Sequence, residues 1–173
     1  GWRGRALEYV VDAFLAVLPR GTFTVRMQPP VEVPRPLDHV ARCEALRISP
    51  LASRRADIAL DFRNGRTVVL DVGTSDVVSA TALHSKSASA HLEGIEDLKS
   101  WTYDGYYREF HPLVLSLAGG MGERSWRVLK RVARLAAELS GPYLGWEPGY
   151  WAVQMLHHIG AGMARVLAWD MTR

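Results

Sequence analysis

The sequence predicts an α/β fold, with a mixed central sheet flanked by helices and with additional C-terminal helices. Two observations predict it: apolar residues recur at the helical period near both ends of the chain, and they alternate along its middle. The order of these patterns is helix, three strands, helix, strand, helix, and then one more helix. At 173 residues the chain is long enough to bury a core, so we expect residues 1–173 to form a single domain.

The composition excludes several classes of protein. The net charge of +3 is mildly basic, which permits a nucleic-acid partner without requiring one. Cys43 is the only cysteine, so neither an internal disulfide nor a multi-cysteine zinc site can form. No apolar run approaches the length of a membrane span and there is no signal peptide, so we expect an intracellular protein without a membrane partner. Because the sequence opens without a methionine, we expect it to be part of a longer polypeptide.

Each predicted element follows from a local pattern bounded by glycine and proline. The predicted helices cover residues 5–18, 38–47, about 86–103, 123–139 and 149–169, and the predicted strands cover residues 22–28, two runs within 54–75, and 109–118. Between the third strand and the next helix, the Ser/Thr/Ala-rich residues 74–90 predict a loop that runs into that helix near Lys86. We expect Asp38 to cap the short helix and His39 to lie at the surface.

The two runs within residues 54–75 form a hairpin whose register decides which side chains share a face. A two-residue turn at Asn64-Gly65 would place Asp71 opposite Ile58, on the apolar face. A three-residue loop with Gly65 in the left-handed region pairs Phe62 with Arg66 instead. That register gathers six apolar side chains on one face, and we therefore predict it: Ile58, Leu60, Phe62, Val68, Leu70 and Val72.

The same register places Asp57 directly opposite Asp71, with Cβ atoms about 4.5–5.5 Å apart. Two like charges at that distance repel each other, so the pair favours a compensating cation. The sequence therefore predicts a divalent-metal site at this point of the hairpin.

A lysine lies within the apolar stripe of the helix that follows. The stripe consists of Ala88, Leu92, Ile95, Lys99 and Tyr103. A lysine inside such a stripe is costly unless its ammonium group is paired or reaches water. Lys99 can therefore snorkel to water or pair with Glu96 at the helix end, or it can reach the two aspartates across the hairpin.

Together these features resemble the PD-(D/E)XK nuclease superfamily, whose core has the order αβββαβ. Within it, the sequence is similar to the restriction-enzyme-like endonuclease domain of non-LTR retrotransposons. Four pieces carry the resemblance: RRADI (54–58), VLDV (69–72), the E-x-x-K-x-x-x-Y run of Glu96, Lys99 and Tyr103, and FHPLVLSLAGGMG (110–122). The resemblance implies a restriction-endonuclease-like core over about residues 5–139, and residues 147–173 would be a C-terminal helical extension.

The resemblance implies hydrolysis of DNA phosphodiesters with Mg²⁺ or Mn²⁺. Asp57, Asp71 and the backbone carbonyl of Val72 would hold the metal, an ion that prefers oxygen ligands. Lys99 would orient the attacking water or offset developing negative charge. Tyr103 would contact a phosphate or close the core, with Glu96 beside Lys99 in the site. Residues implied to contact duplex phosphates are Arg54, Arg55 and Lys86.

The resemblance further implies a larger polypeptide that contains a reverse transcriptase, nuclear in a eukaryotic retroelement and otherwise cytoplasmic. The chain also departs from the family. Where many members carry a lysine two residues after the second acid, this chain has Gly73. On the strand after the first helix, where some members carry an extra acid, this chain has Gln28, with Glu32 beyond it among prolines. Glu8, close to the apolar edge of the first helix, could face a site.

Two other functions remain open: a catalytically inactive DNA-binding module, and a protein-interaction domain. The helix over residues 123–139 bears on this choice because five of the 21 lysine and arginine residues lie on it. The residues are Arg124, Arg127, Lys130, Arg131 and Arg134. A solvated helix surface is the commoner explanation of such a pattern, and a DNA-facing surface is the alternative.

Overall fold

The structure, a computed structural model, describes residues 2–33, 36–49, 55–75, 87–117, 120–140 and 147–171. Its helices are α1 (Trp2–Val17), α2 (His39–Ala45), α3 (Ala88–Tyr103), α4 (Glu123–Ser140) and α5 (Pro148–Met171), and its strands are β1 (Phe23–Met27), β2 (Ile58–Phe62), β3 (Thr67–Ser75) and β4 (Phe110–Ser116). The predicted order of elements is confirmed. Helix α1 begins three residues earlier than expected, and α5 extends beyond residue 169.

The four strands form one mixed sheet in the order β1-β2-β3-β4. β1 pairs with β2 and β2 with β3 in antiparallel fashion, whereas β4 runs parallel to β3. The parallel pair requires a crossover, and α3 lies in that connection. The α/β class with a mixed sheet flanked by helices is therefore as predicted.

The hairpin between β2 and β3 has the predicted three-residue loop. The Phe62 N–H donates to the Arg66 carbonyl at 2.8 Å, and Gly65 has φ +88°. The paired residues include Ile58 with Leu70 and Leu60 with Val68. The glycine is needed because a side chain at that φ would meet the following carbonyl.

The six apolar residues predicted to share a hairpin face are all buried in one core cluster. Helices α1 and α4 cover that face and α5 packs on both of them, and the three helices contribute buried side chains such as Phe14, Leu129 and Met155. On the opposite face, Ala59 and Val69 pack against Tyr106 and neighbouring aromatic rings in a second cluster. The sheet thus separates an apolar layer from a layer that mixes aromatic and charged groups.

Helix α2 differs from expectation in two respects. The Asp38 side chain makes no capping hydrogen bond and pairs with Arg42 instead, at 2.5 Å. His39 is buried, and its Nδ1 lies 2.5 Å from the Tyr106 hydroxyl, so the predicted surface position is wrong. The physical reason is that α2 packs on the turn that follows α3, where Arg42 also lies over the Tyr106 ring.

In the part of the chain that the structure describes, no helix has both the length and the apolar character needed to cross a membrane.

The hairpin turn generates a stability prediction. Gly65→Ala should lower the free energy of unfolding by about 1–2 kcal/mol, because alanine is strained in the left-handed region. Gly94 in α3 is the matched control, since a methyl group there meets no neighbouring atom. Gly94→Ala should raise the free energy of unfolding by about 0.5–1 kcal/mol. Denaturant unfolding of both variants measures the difference, and equal effects would contradict the assigned turn.

Candidate active site

The two aspartates lie opposite each other where β2 begins. One residue before the Ile58–Leu70 pair, the antiparallel register places Asp57 across from Asp71. Strand alternation turns both side chains away from the large core. The Val72 N–H donates to Asp57 Oδ2 at 2.8 Å, so the carboxylate of one strand is held by the backbone of the next.

The Asp57 backbone is held on both sides. Its N–H donates to the Leu70 carbonyl at 3.2 Å, and its carbonyl accepts from the Gln28 N–H at 2.8 Å. Asp57 therefore has a fixed backbone between β1 and β3, and its side chain is half-buried.

Lys99 reaches Asp71, as one of the two sequence interpretations proposed. Its Nζ lies 2.5 Å from Asp71 Oδ2, and the exposed fraction of the side chain is 18% for Lys99 and 2% for Asp71. A carboxylate this deeply buried requires a counter-charge. The lysine supplies that charge from the helix that packs on the sheet.

The lysine stem crosses directly over Gly73. A Cβ atom added at residue 73 would lie 2.5 Å from Lys99 Cε and 3.4 Å from Nζ. Any larger residue at this position would displace the lysine or the helix that carries it. Because Gly73, two residues after Asp71, has no side chain, it leaves the space through which the Lys99 side chain reaches the carboxylate.

Tyr103 and Tyr107 support the segment that carries Asp57. The Tyr103 hydroxyl donates to the Arg55 carbonyl at 3.2 Å. The Tyr107 hydroxyl accepts from the Ala56 N–H at 3.1 Å and donates to the Pro29 carbonyl at 2.8 Å. Burial, together with the charge of Asp71, raises the pKa of Tyr107, so this hydroxyl keeps its proton at neutral pH.

Tyr107 was not predicted from the sequence. The nearest signal is the aromatic run that follows α3, whose rings stack with one another on the charged face of the sheet.

Glu96 is a residue of α3, and its side chain contacts the first turn of α4. It is fully buried, and its Oε1 accepts hydrogen bonds from the Ser125 N–H at 3.2 Å and the Ser125 hydroxyl at 2.7 Å. A carboxylate is favourable at a helix N-terminus, where N–H groups lack intrahelical partners. Within the described residues, Oε2 has no hydrogen-bond partner. The catalytic role expected for Glu96 therefore remains a prediction, and its observed contacts are those of a helix cap.

A histidine that the sequence left without a partner lies further along the same face. His91 of α3 has its Nε2 2.7 Å from the hydroxyl of Ser75 at the end of β3. Asp71, Gly73 and Ser75 alternate along β3, so all three face α3. The contact joins residues 16 positions apart, which no helical or strand spacing indicates.

The remaining predicted site residues have varied surroundings. Arg55 is exposed, while Arg54 and Lys86 lie outside the described residues. Glu8 is exposed on α1 beside a cavity of about 600 Å³. Glu32 forms an ion pair with Arg108 at 3.6 Å.

Binding of a small oxygen-seeking cation at the aspartate pair remains a prediction. In the described ranges there is no group of three or more His, Cys, Asp or Glu side chains able to hold a metal. Mg²⁺ needs only one or two protein carboxylates, because it keeps several waters. Asp57 and Asp71 supply two carboxylates. The N–H and C=O of a strand residue point to the same neighbouring strand, so the Val72 carbonyl faces the same side as its N–H, toward Asp57.

No protein-family model matches this sequence, and neither the curated proteins nor the solved structures provide a match. The resemblance to nucleases therefore remains a prediction from the sequence motifs.

The buried ion pair generates a stability prediction. Lys99→Met retains the apolar stem but leaves the Asp71 carboxylate without its counter-charge, so it should lower the free energy of unfolding by about 1–3 kcal/mol without unfolding the domain. Adding Asp71→Asn should recover part of that loss.

The Arg26–Asp61 pair is the matched control, because both of its side chains are substantially exposed. Arg26→Met should change the free energy of unfolding by less than about 1 kcal/mol. Urea unfolding of the single and double variants measures the coupling. Additive effects of Lys99→Met and Asp71→Asn would contradict the pairing.

Proposed function

We propose that this protein is a metal-dependent DNA endonuclease of the PD-(D/E)XK type, and that its site is formed by Asp57, Asp71 and Lys99. One observation carries the proposal: Lys99 pairs with Asp71 across Gly73, directly opposite Asp57. In the nuclease family that the sequence resembles, the lysine often stands where this chain has Gly73. Here the side chain of Lys99 fills the space above that glycine, so a lysine from the helix reaches the position that a lysine on the strand would occupy.

Each residue has a role that follows from its surroundings. Asp57, Asp71 and the Val72 carbonyl would hold Mg²⁺ or Mn²⁺, which when bound polarises the phosphate and lowers the pKa of a bound water. Lys99 provides a fixed positive charge beside the carboxylates, where negative charge develops on the phosphate. Tyr103 and Tyr107 hold the backbone before Asp57 and so orient its carboxylate.

The wider proposal concerns the substrate and the parent protein. Arg54, Arg55 and Lys86 would contact duplex phosphates near the site, which positions DNA without reading its sequence. The domain would act within a retroelement-type polypeptide that also carries a reverse transcriptase, in the nucleus of a eukaryotic host or otherwise in the cytoplasm.

A second candidate is a DNA-binding module that has the nuclease arrangement without catalysis. The observation that favours it is the closeness of the Lys99–Asp71 pair, because the Lys99 ammonium group at 2.5 Å already balances the charge of the buried carboxylate. The two candidates differ in whether Asp71 is needed for strand cleavage or only for folding.

A nicking assay tests the proposal. Supercoiled plasmid should be nicked by the wild-type protein with Mg²⁺ and should remain intact with EDTA. Asp71→Asn and Lys99→Ala should each reduce the rate by about 100-fold or more, because each removes charge from the reacting centre. Asp61→Asn is the matched control, since Asp61 lies on the same strand and face as Asp57, and it should leave the rate unchanged.

A transplanted lysine sharpens the assay. Lys99→Ala opens the space above residue 73, so Gly73→Lys combined with Lys99→Ala should restore part of the lost nicking. Gly73→Lys alone should not increase the nicking rate, because the new lysine would clash with Lys99. If folded wild-type protein binds plasmid but does not nick it with either Mg²⁺ or Mn²⁺, the nuclease proposal is wrong and the inactive DNA-binding module is the better explanation.

A further inference from the structure

A groove along α4 carries a row of basic side chains. The groove encloses about 630 Å³ between α4, Ser100 of α3 and the start of β4. Its basic lining consists of Arg124, Arg127, Lys130, Arg131 and Arg134. The four arginines are spaced by three, four and three residues, which places them on one helix face over about 15 Å.

This row has more cationic side chains than carboxylates paired with them. Three of the five cations have a carboxylate partner: Arg124 pairs with Asp97, Arg127 with Glu123, and Arg131 with Glu109. Within the described residues, Lys130 and Arg134 have no carboxylate partner. Lys130 instead lies 5.8 Å from the centre of the Trp126 ring.

The paired cations are of two kinds. The Arg124 and Arg127 side chains are at least half exposed, and so are their partners. Exposed pairs contribute little stability, so an incoming anion can replace their carboxylates. Arg131 differs, because Glu109 also contacts His111 and both partners are mostly buried. Although burial opposes its charge, hydrogen bonds from Arg131 and His111 hold the pKa of Glu109 below its ordinary value, so this pair persists at neutral pH.

We propose that the α4 groove binds the phosphate backbone of duplex DNA through Arg124, Arg127, Lys130 and Arg134. A row of cations over about 15 Å suits a repeating anion, because each strand of a duplex offers one phosphate per 3.4 Å of axis. A single small phosphate would engage one or two of these groups.

The position of the groove favours the same partner. Its wall includes Pro112, which pairs with Asp71 on the neighbouring strand, and Ser100, which follows Lys99. A backbone held in the groove would therefore pass close to the aspartate pair. The choice of DNA rests on the proposed function, whereas the affinity of the groove for a phosphate chain follows from its charges alone.

Binding of a labelled duplex, followed by fluorescence anisotropy over a range of salt concentrations, tests the proposal. The variant Arg127→Ala/Arg134→Ala should weaken binding about ten-fold and lower the salt slope by about two units. Arg5→Ala/Arg20→Ala is the matched control: it removes the same charge from exposed positions outside the groove, and it should change neither quantity. Circular dichroism should show that both variants remain folded.

The outcomes separate this proposal from the proposed function. If the groove variant binds DNA like the control variant, the groove is overturned even where Asp71→Asn abolishes nicking. If the groove variant loses affinity and the wild-type protein does not nick plasmid, the groove proposal is supported and the nuclease proposal is not. Tighter binding to phosphatidylserine vesicles than to DNA would overturn duplex DNA as the occupant.

Discussion

The ion pair between Lys99 and Asp71 is the constraint on which the charged face of the sheet depends. A carboxylate that is 2% exposed would be costly without a counter-charge, and the glycine at residue 73 leaves space for the lysine stem that supplies it. The pair therefore depends on three residues: Asp71 on β3, Gly73 two residues later, and Lys99 on the helix that crosses back over the sheet. It also fixes the rotation of α3, since the lysine must face the strand.

The two aspartates are not equivalent. Asp71 is buried and balanced by Lys99, whereas Asp57 is half-buried and is held by the Val72 N–H. One carboxylate is thus neutralised by charge and the other is oriented by the backbone. For a site that takes up a cation, this difference means that Lys99 would compete for Asp71, whereas Asp57, just before β2, is held by the Val72 N–H.

Much of this arrangement could be predicted from the sequence, because it depends on local patterns. Alternation and the Asn-Gly turn were enough to give the register that sets Asp57 against Asp71, and the helical period turned Lys99 toward the sheet. What could not be predicted depends on partners far apart in the chain. The Tyr107 hydroxyl meets Ala56 across 51 residues, and His39 meets Tyr106 across 67. No spacing rule connects such residues, so His39 was wrongly expected at the surface.

Glu96 and Lys99 are close together on α3 but contact different neighbours. It is three residues from Lys99, so the two side chains lie on neighbouring sides of α3. The lysine faces the sheet, and Glu96 faces the glycine turn before α4, where a Cβ at Gly122 would lie 2.2 Å from its Oε1. The same helix thus sends a cation to a buried acid and an acid to the positive end of another helix. Both glycines make room for a charged group, and each charge stabilises the packing of α3 against a different neighbour.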